Sequence, residues 1–315
     1  MVNLPELSCA KFQFTLEALD TLYLPEYKGS TLRGGFGHSF RKIVCTMGAI
    51  PCDTCLLHLK CPYPQFFETP IAGDFPPFMR GVKTGPQPFV VEPPLESKRV
   101  YQPGENLKFG LVLIGRAIEY LPYFIYTFDR LGNMGIGRGK GQFKLTEVAS
   151  FDEEWRPIYD GQSKTLTANY VIRSMKDFCG HADPIKSIRL NFVTPTRIKI
   201  KGHLSTDLPF REIVLSLLRR ICTLAYFHIP QTSVEWNWRS ALAAADEVEM
   251  AQINLEWVDW ERYSNRQQTR MKLGGFQGEM TLTGKMEPWL PLLKLGEFVH
   301  VGKGATFGLG KFEIA

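Results

Sequence analysis

The chain has 315 residues, 44% hydrophobic and 22% charged, with 37 basic against 32 acidic side chains for a net charge of +5. That is enough chain for two domains and too apolar for extended disorder, and the mild basic excess admits a polyanionic partner without requiring one. No apolar run has the length of a membrane helix, and the opening MVNLPELSCAKF lacks the basic and apolar regions of an export signal, so a cytoplasmic protein without a membrane partner is expected.

In chain order, CAKFQFTLEAL (9–19) alternates Phe12, Phe14 and Leu16 with polar neighbours and is predicted to be a strand. GSTLRGGFGHSFRKIVC (29–45) sets Leu32, Phe36, Phe40, Ile43 and Val44 at helical spacing, with Ser30 and Thr31 as candidate caps and Gly34, Gly35 and Gly37 weakening the first turns. The proline-rich stretch 62–105 reads as mostly loop around a short apolar PFVVEPP. NLKFGLVLIG (106–115) follows as a strand and RAIEYLPYFIYTFDRLG (116–132) as an amphipathic helix, in which Pro122 marks a kink or a late start. GQFKLTEVAS (141–150) alternates again.

The second half repeats that order. SIRLNFVTPTRIKIKG (187–202) is a long strand interrupted at Pro195, and PFREIVLSLLRRICTLAYFH (209–228) is the clearest helix. AQINLEWVDWERYS and MKLGGFQGEMTLTGK pattern as paired strands, PWLPLLKLGEF as a short helix and FGLGKFEIA as a closing strand. Residues 151–186 are polar and weakly patterned, so the division falls there: a first domain over 1–155, a connecting segment over 156–186 and a second domain over 187–315. The expected fold is α+β, two tandem ferredoxin-like (RRM-like, βαββαβ) domains with a cysteine-rich insertion in the first.

The repeat extends to a motif. GIGRGKGQFKL follows the second helix of the first half and GKGATFGLGKFEI that of the second; each is glycine-rich, basic and runs into a short strand. A dinucleotide fingerprint would open a helix, and a P-loop would end in Gly-Lys-Ser/Thr; neither sequence does. Glycines that let backbone N–H groups approach a polyanion, beside Arg138, Lys140, Lys303 and Lys311, suit a nucleic-acid backbone, RNA above all. A plain glycine hairpin is the alternative for either copy alone.

There are seven cysteines, an odd number that argues against a disulfide framework. Four of them, Cys45, Cys52, Cys55 and Cys61, have the spacing C-x6-C-x2-C-x5-C. Soft thiolates so close together suit structural zinc in preference to an iron–sulfur cluster, with His58 as a substitute ligand; reduced thiols packing a loop are the alternative.

HVGKGATFGLGKFEI, NFVTPTRIKIKG followed by FREIVLSLLRR, and STLRGGFGHSFRKIVC with its cysteines together resemble the CRISPR-associated endoribonucleases of the repeat-associated mysterious protein (RAMP) superfamily, which mature CRISPR RNA. The resemblance spans nearly the whole chain. It implies two ferredoxin-like domains and cleavage of CRISPR repeat RNA (pre-crRNA) with no cofactor for catalysis. The 2′-hydroxyl attacks the adjacent phosphate and leaves a 2′,3′-cyclic phosphate and a 5′-hydroxyl. It also implies a rival, a non-catalytic RNA-binding RAMP subunit of a CRISPR effector complex. A redox or metal-sensing protein built on the cysteines is a third reading, and a homodimer is left open.

That chemistry needs a base, an acid and a cation for the phosphorane. The resemblance places the catalytic histidine at His38, with Arg33, Arg41 and Lys42 nearby; on a helix Arg41 and Lys42 share its face. Lys42 is the candidate cation, Tyr27 (or Tyr23) would orient the 2′-hydroxyl, and His300 is a reserve candidate. Arg197, Lys199 and Lys201, alternating along TRIKIKG, would form a positive face. Gly302, Gly304, Gly308 and Gly310 complete the predicted RNA-binding set.

Overall fold

A computed structural model describes residues 4–48, 50–71, 79, 84–179, 184–200, 202–205, 208–230, 232, 234, 238–259, 261–264, 269–272 and 274–315. The chain divides into two compact units. One comprises Ser8–Arg173 with Phe227–Ile229, the other Met1–Leu7, Ser174–Tyr226 and Pro230–Ala315.

The N-terminal unit contains β1 (Cys9–Ala18), β2 (Leu22–Tyr23), α1 (Gly29–Val44), α2 (Pro62–Phe67), β3 (Phe89–Glu92), β4 (Val100–Tyr101), β5 (Asn106–Ile114), α3 (Leu121–Met134), β6 (Phe143–Asp152), β7 (Glu154–Asp160) and β8 (Thr165–Leu166). Its main sheet has the order β3-β5-β1-β6-β7-β8, antiparallel throughout. The first four positions are the ferredoxin-like βαββαβ arrangement, with α1 and α3 as the two helices. An aromatic core fills the space between them and the sheet: Phe36 stacks on Phe124 and Phe128 at centroid distances of 4.7 and 5.1 Å, and Phe14, Phe40, Phe89 and Phe109 are fully buried around it.

The second unit contains α4 (Met175–Phe178), β9 (Ser187–Thr196), β10 (Lys199–Ile200), β11 (His203–Leu204), α5 (Phe210–His228), α6 (Trp238–Ala245), β12 (Glu249–Val258), β13 (Glu261–Ser264), β14 (Thr269–Lys272), β15 (Gly275–Thr283), α7 (Leu290–Val299) and β16 (Phe312–Ile314). Its four-stranded sheet runs β12-β15-β9-β16, again antiparallel. Numbering only each sheet's own strands in chain order, the second sheet runs second, third, first, fourth, and the first four positions of the first sheet do the same. The duplicated sequence pattern is a duplicated topology.

Three local expectations change. Residues 156–186 are not simply a connector: β7 and β8 extend the first sheet, and α4 belongs to the second unit. β7 hides from periodicity because only Ile158 and Tyr159 of its residues are buried. The strand expected over 187–202 stops at Thr196; Lys199–Ile200 pairs with His203–Leu204 in a separate hairpin, so Arg197 and Lys199 lie off the sheet strand, and Lys201 lies outside the described residues. α1 starts at Gly29, which puts Ser30 and Thr31 inside its first turn rather than at the cap. Pro122 falls at the start of α3, behind the turn Gly115–Tyr120, so it marks a late start and not a kink.

Candidate nucleic-acid interface and cleavage site

α1 presents two different faces. Leu32, Phe36 and Phe40 point inward and are fully buried, whereas Gly34, His38 and Lys42, spaced four apart, lie exposed along the other side. The glycines that weaken the helix have packing roles. A Cβ at Gly37 would come within 2.8 Å of the Phe67 ring, and one at Gly35 within 3.1 Å of Leu131.

The first glycine loop, between α3 and β6, brings a second group of cations to this face. The Arg138 N–H donates to the Tyr23 carbonyl at 2.9 Å and the Ile136 N–H to that of Gly141 at 3.0 Å. The loop is thereby fastened to β2, while Arg138, Gly139 and Lys140 remain exposed. Lys140 acts on His38: the imidazole pKa is lowered from its ordinary 6.5, first by partial burial and then by Lys42, Lys140 and Arg41. His38 is therefore held neutral near pH 7 among ammonium and guanidinium groups. A neutral imidazole can take a proton, and the surrounding charges suit a phosphate.

The other predicted residues divide. Tyr27 is half-buried, and its phenol is pushed well up, mainly by burial and then by Glu92, whose carboxylate is ion-paired to Lys11 at 2.9 Å. It is locked neutral in the field of β3, whereas Tyr23 is exposed and bridged to Arg138 at the loop itself. Arg33 donates to Gln87 at 2.9 Å with its guanidinium 4.8 Å above the Phe67 ring, so it packs the proline-rich segment. Arg41 lies over Tyr63 at 5.5 Å.

In the second unit, Gly302, Gly304, Gly308 and Gly310 all have positive φ. Gly308 and Gly310 are buried, so they close the loop rather than face a ligand. Thr194 Oγ1 donates to the Gly308 carbonyl at 2.8 Å and accepts the Lys311 N–H at 2.9 Å, and the Gly310 N–H donates to the Pro195 carbonyl at 3.1 Å. The Thr-Pro-Thr segment and the glycine loop are thus one joint. Sequence reading listed them as separate motifs, because nothing local links residues at opposite ends of a domain. Lys303 is exposed and its N–H donates to the Arg197 carbonyl at 3.0 Å, which sets Lys303 beside Arg197, with Lys199 exposed nearby in the chain. Burial lowers the Arg197 pKa. Lys311 pairs with Glu313 at 3.4 Å. His300 is sealed from solvent, with Nδ1 3.1 Å from the Leu309 carbonyl, so the reserve candidate is a strut of the loop.

Cys45, Cys52, Cys55, His58 and Cys61 line one small cavity of ≈ 20 Å³ at the end of α1. Among the described residues, no three His, Cys, Asp or Glu side chains already stand close enough together to hold an ion. No helix among the described residues is long and apolar enough to cross a membrane.

Two ferredoxin-like units of one topology each carry a basic glycine loop, before β6 in the first and before β16 in the second. Residues 190–312 match the model of the CRISPR-associated endoribonuclease Cas6, and residues 7–171 match a model described as an N-terminal domain. The chain thus carries a match to the CRISPR-associated Cas6 family over residues 190–312, within its C-terminal part. A product complex of a Thermus thermophilus Cas6 shares the fold at a TM-score of 0.58 and 19% identity, covering 98% of this chain and 100% of that one. A second Cas6 product complex matches at 0.51 and 17%, covering 98% and 99%. An uncharacterised protein of Archaeoglobus fulgidus is 24% identical over 300 residues, 93% of each chain.

Proposed function

We propose that this protein cleaves CRISPR repeat RNA without a catalytic metal. In this reading His38 takes the proton of the 2′-hydroxyl upstream of the scissile phosphate, and the freed oxygen attacks phosphorus. The 5′-oxygen leaves and acquires a proton, and the products carry a 2′,3′-cyclic phosphate and a 5′-hydroxyl. Lys42 and Lys140 offset the charge that develops on the non-bridging oxygens. Arg138 and Tyr23 hold the RNA at the first glycine loop, while Arg197, Lys199 and Lys303 offer a further cationic patch in the second unit. The match of residues 190–312 to the Cas6 model and the likeness to solved Cas6 proteins described as product complexes support the substrate class.

The observation that carries the reading is the exposed His38 whose neutral form is favoured by Lys42, Lys140 and Arg41. The test is incubation of the protein with end-labelled repeat RNA in excess EDTA, followed by mapping of product ends. One cut with a cyclic phosphate is expected. Tight binding with no cut would leave an RNA-holding RAMP subunit, and no binding would sink the reading entirely.

A further inference from the structure

Among the described residues from Cys45 to Cys61 none is buried. Leu56 is 90% and Leu59 59% exposed, and Met47, Ile50 and Leu57 are exposed as well. An insertion that buries so little apolar surface needs another source of cohesion. Its backbone is nonetheless ordered around the cysteines. The Cys55 N–H donates to the Cys52 carbonyl at 3.3 Å and closes a tight turn, in which side chains three apart lie over one another. The Cys61 N–H returns to the Leu57 carbonyl at 2.7 Å, and α2 begins one residue later. Cys45 ends α1. All four thiols are half-buried and border the same cavity, and the buried Nδ1 of His58, on its wall, has no hydrogen-bond partner.

We propose that Cys45, Cys52, Cys55 and Cys61 bind one structural zinc ion. Four cysteines are the full complement of a closed tetrahedral site, and all four border one cavity. The thiols move inward to Zn–S distances of about 2.3 Å. Each releases its proton to solvent on binding, since the thiolate is the ligand. The site then carries two net negative charges. An N–H on Nδ1 of His58, which has no other hydrogen-bond partner, donates to one sulfur.

The ion would do more than hold a loop. It joins the C-cap of α1, Cys45, to the N-cap of α2, Cys61, and Tyr63, two residues beyond Cys61, carries Arg41 on its ring. Tyr63 in turn stacks on Phe67 at 5.0 Å, the ring that Gly37 admits against α1. The zinc knuckle therefore sets Arg41 beside His38 without touching the reacting groups.

Metal analysis of purified, reduced full-length protein tests this separately from cleavage. One zinc per chain is expected, lost in Cys52→Ser/Cys55→Ser and retained in Cys179→Ser, whose thiol is exposed outside the cluster. Should the double variant fail to fold, the reduced wild type, stripped and titrated with cobalt(II), should show the spectrum of a tetrahedral thiolate complex that zinc then displaces. Iron with sulfide at the site, zinc retained by a folded double variant, or wild type that neither contains nor takes up metal would each overturn the proposal.

Discussion

The two glycine loops occupy the same place in the same topology, yet they do different things. In the N-terminal unit Arg138, Gly139 and Lys140 stand in solvent, and Lys140 acts on a histidine of α1. In the C-terminal unit Gly308 and Gly310 are buried, a histidine is sealed beneath the loop, and a threonine pins it to the first strand of that unit. The duplication preserved the backbone's course and not its chemistry. One copy exposes a reactive neighbourhood; the other spends most of its glycines on its own closure and leaves Lys303 as the group that reaches out. A shared motif thus locates an equivalent turn, and only burial and charge show which copy meets a ligand.

The largest expected difference between the two lies in their histidines. His38→Ala should slow cleavage of repeat RNA by about 10²–10⁴-fold, the usual contribution of a general base, while a filter-binding titration finds RNA affinity nearly unchanged. His300→Ala should do the reverse. It leaves the Leu309 carbonyl buried without its partner, costing about 1–3 kcal/mol in a thermal or denaturant melt, while the folded fraction still cuts. Equal loss of cleavage in both folded variants would erase the distinction.

The glycines sharpen it. Gly310 has φ +72°, and a Cβ there would land on the Val301 carbonyl oxygen. Gly310→Ala should cost more than about 4 kcal/mol, seen as insoluble protein or a collapsed melting temperature. Gly139 has φ +84° but open space around its Cα, so Gly139→Ala should cost only the left-handed strain, about 1–2 kcal/mol, in the same melt.

The fold was legible because each strand–helix order appeared twice and each long helix carried its own apolar stripe. β7 was not, since a strand whose two buried residues are adjacent has no alternation to read. The end of β9 was missed because TRIKIKG keeps a strand's alternation after its backbone has turned toward Gly302. In the candidate site, His38 and Lys42 were readable as helix neighbours. Lys140 entered only as a loop cation, because α1 and the loop before β6 meet through the fold. Tyr27 is held neutral for reasons no spacing shows, its burial first and Glu92 second.

A subtler effect follows from the charges. Because partial burial and then Lys42, Lys140 and Arg41 lower the His38 pKa, the acid limb of the cleavage rate should have its midpoint below the ordinary 6.5 of imidazole. Removing a cation eases protonation, so Lys42→Ala and Lys140→Ala should each move that limb to higher pH in a pH–rate series. A limb that moves down, or stays fixed in both variants, would separate His38 from the reaction.

The smallest effect belongs to the C-terminal loop. Lys303 is exposed, whereas the Lys311 ammonium is paired with Glu313. A phosphate contact releases about one counterion, so Lys303→Ala should reduce the slope of log affinity against log salt by about 1 at every RNA sequence tested. Lys311→Ala should change the slope less, because its charge is already partly answered within the protein. The order of the two slopes, more than either value, decides whether the second loop meets RNA at its tip or along its buried glycines. Only the tip has a cation left to exchange for a phosphate.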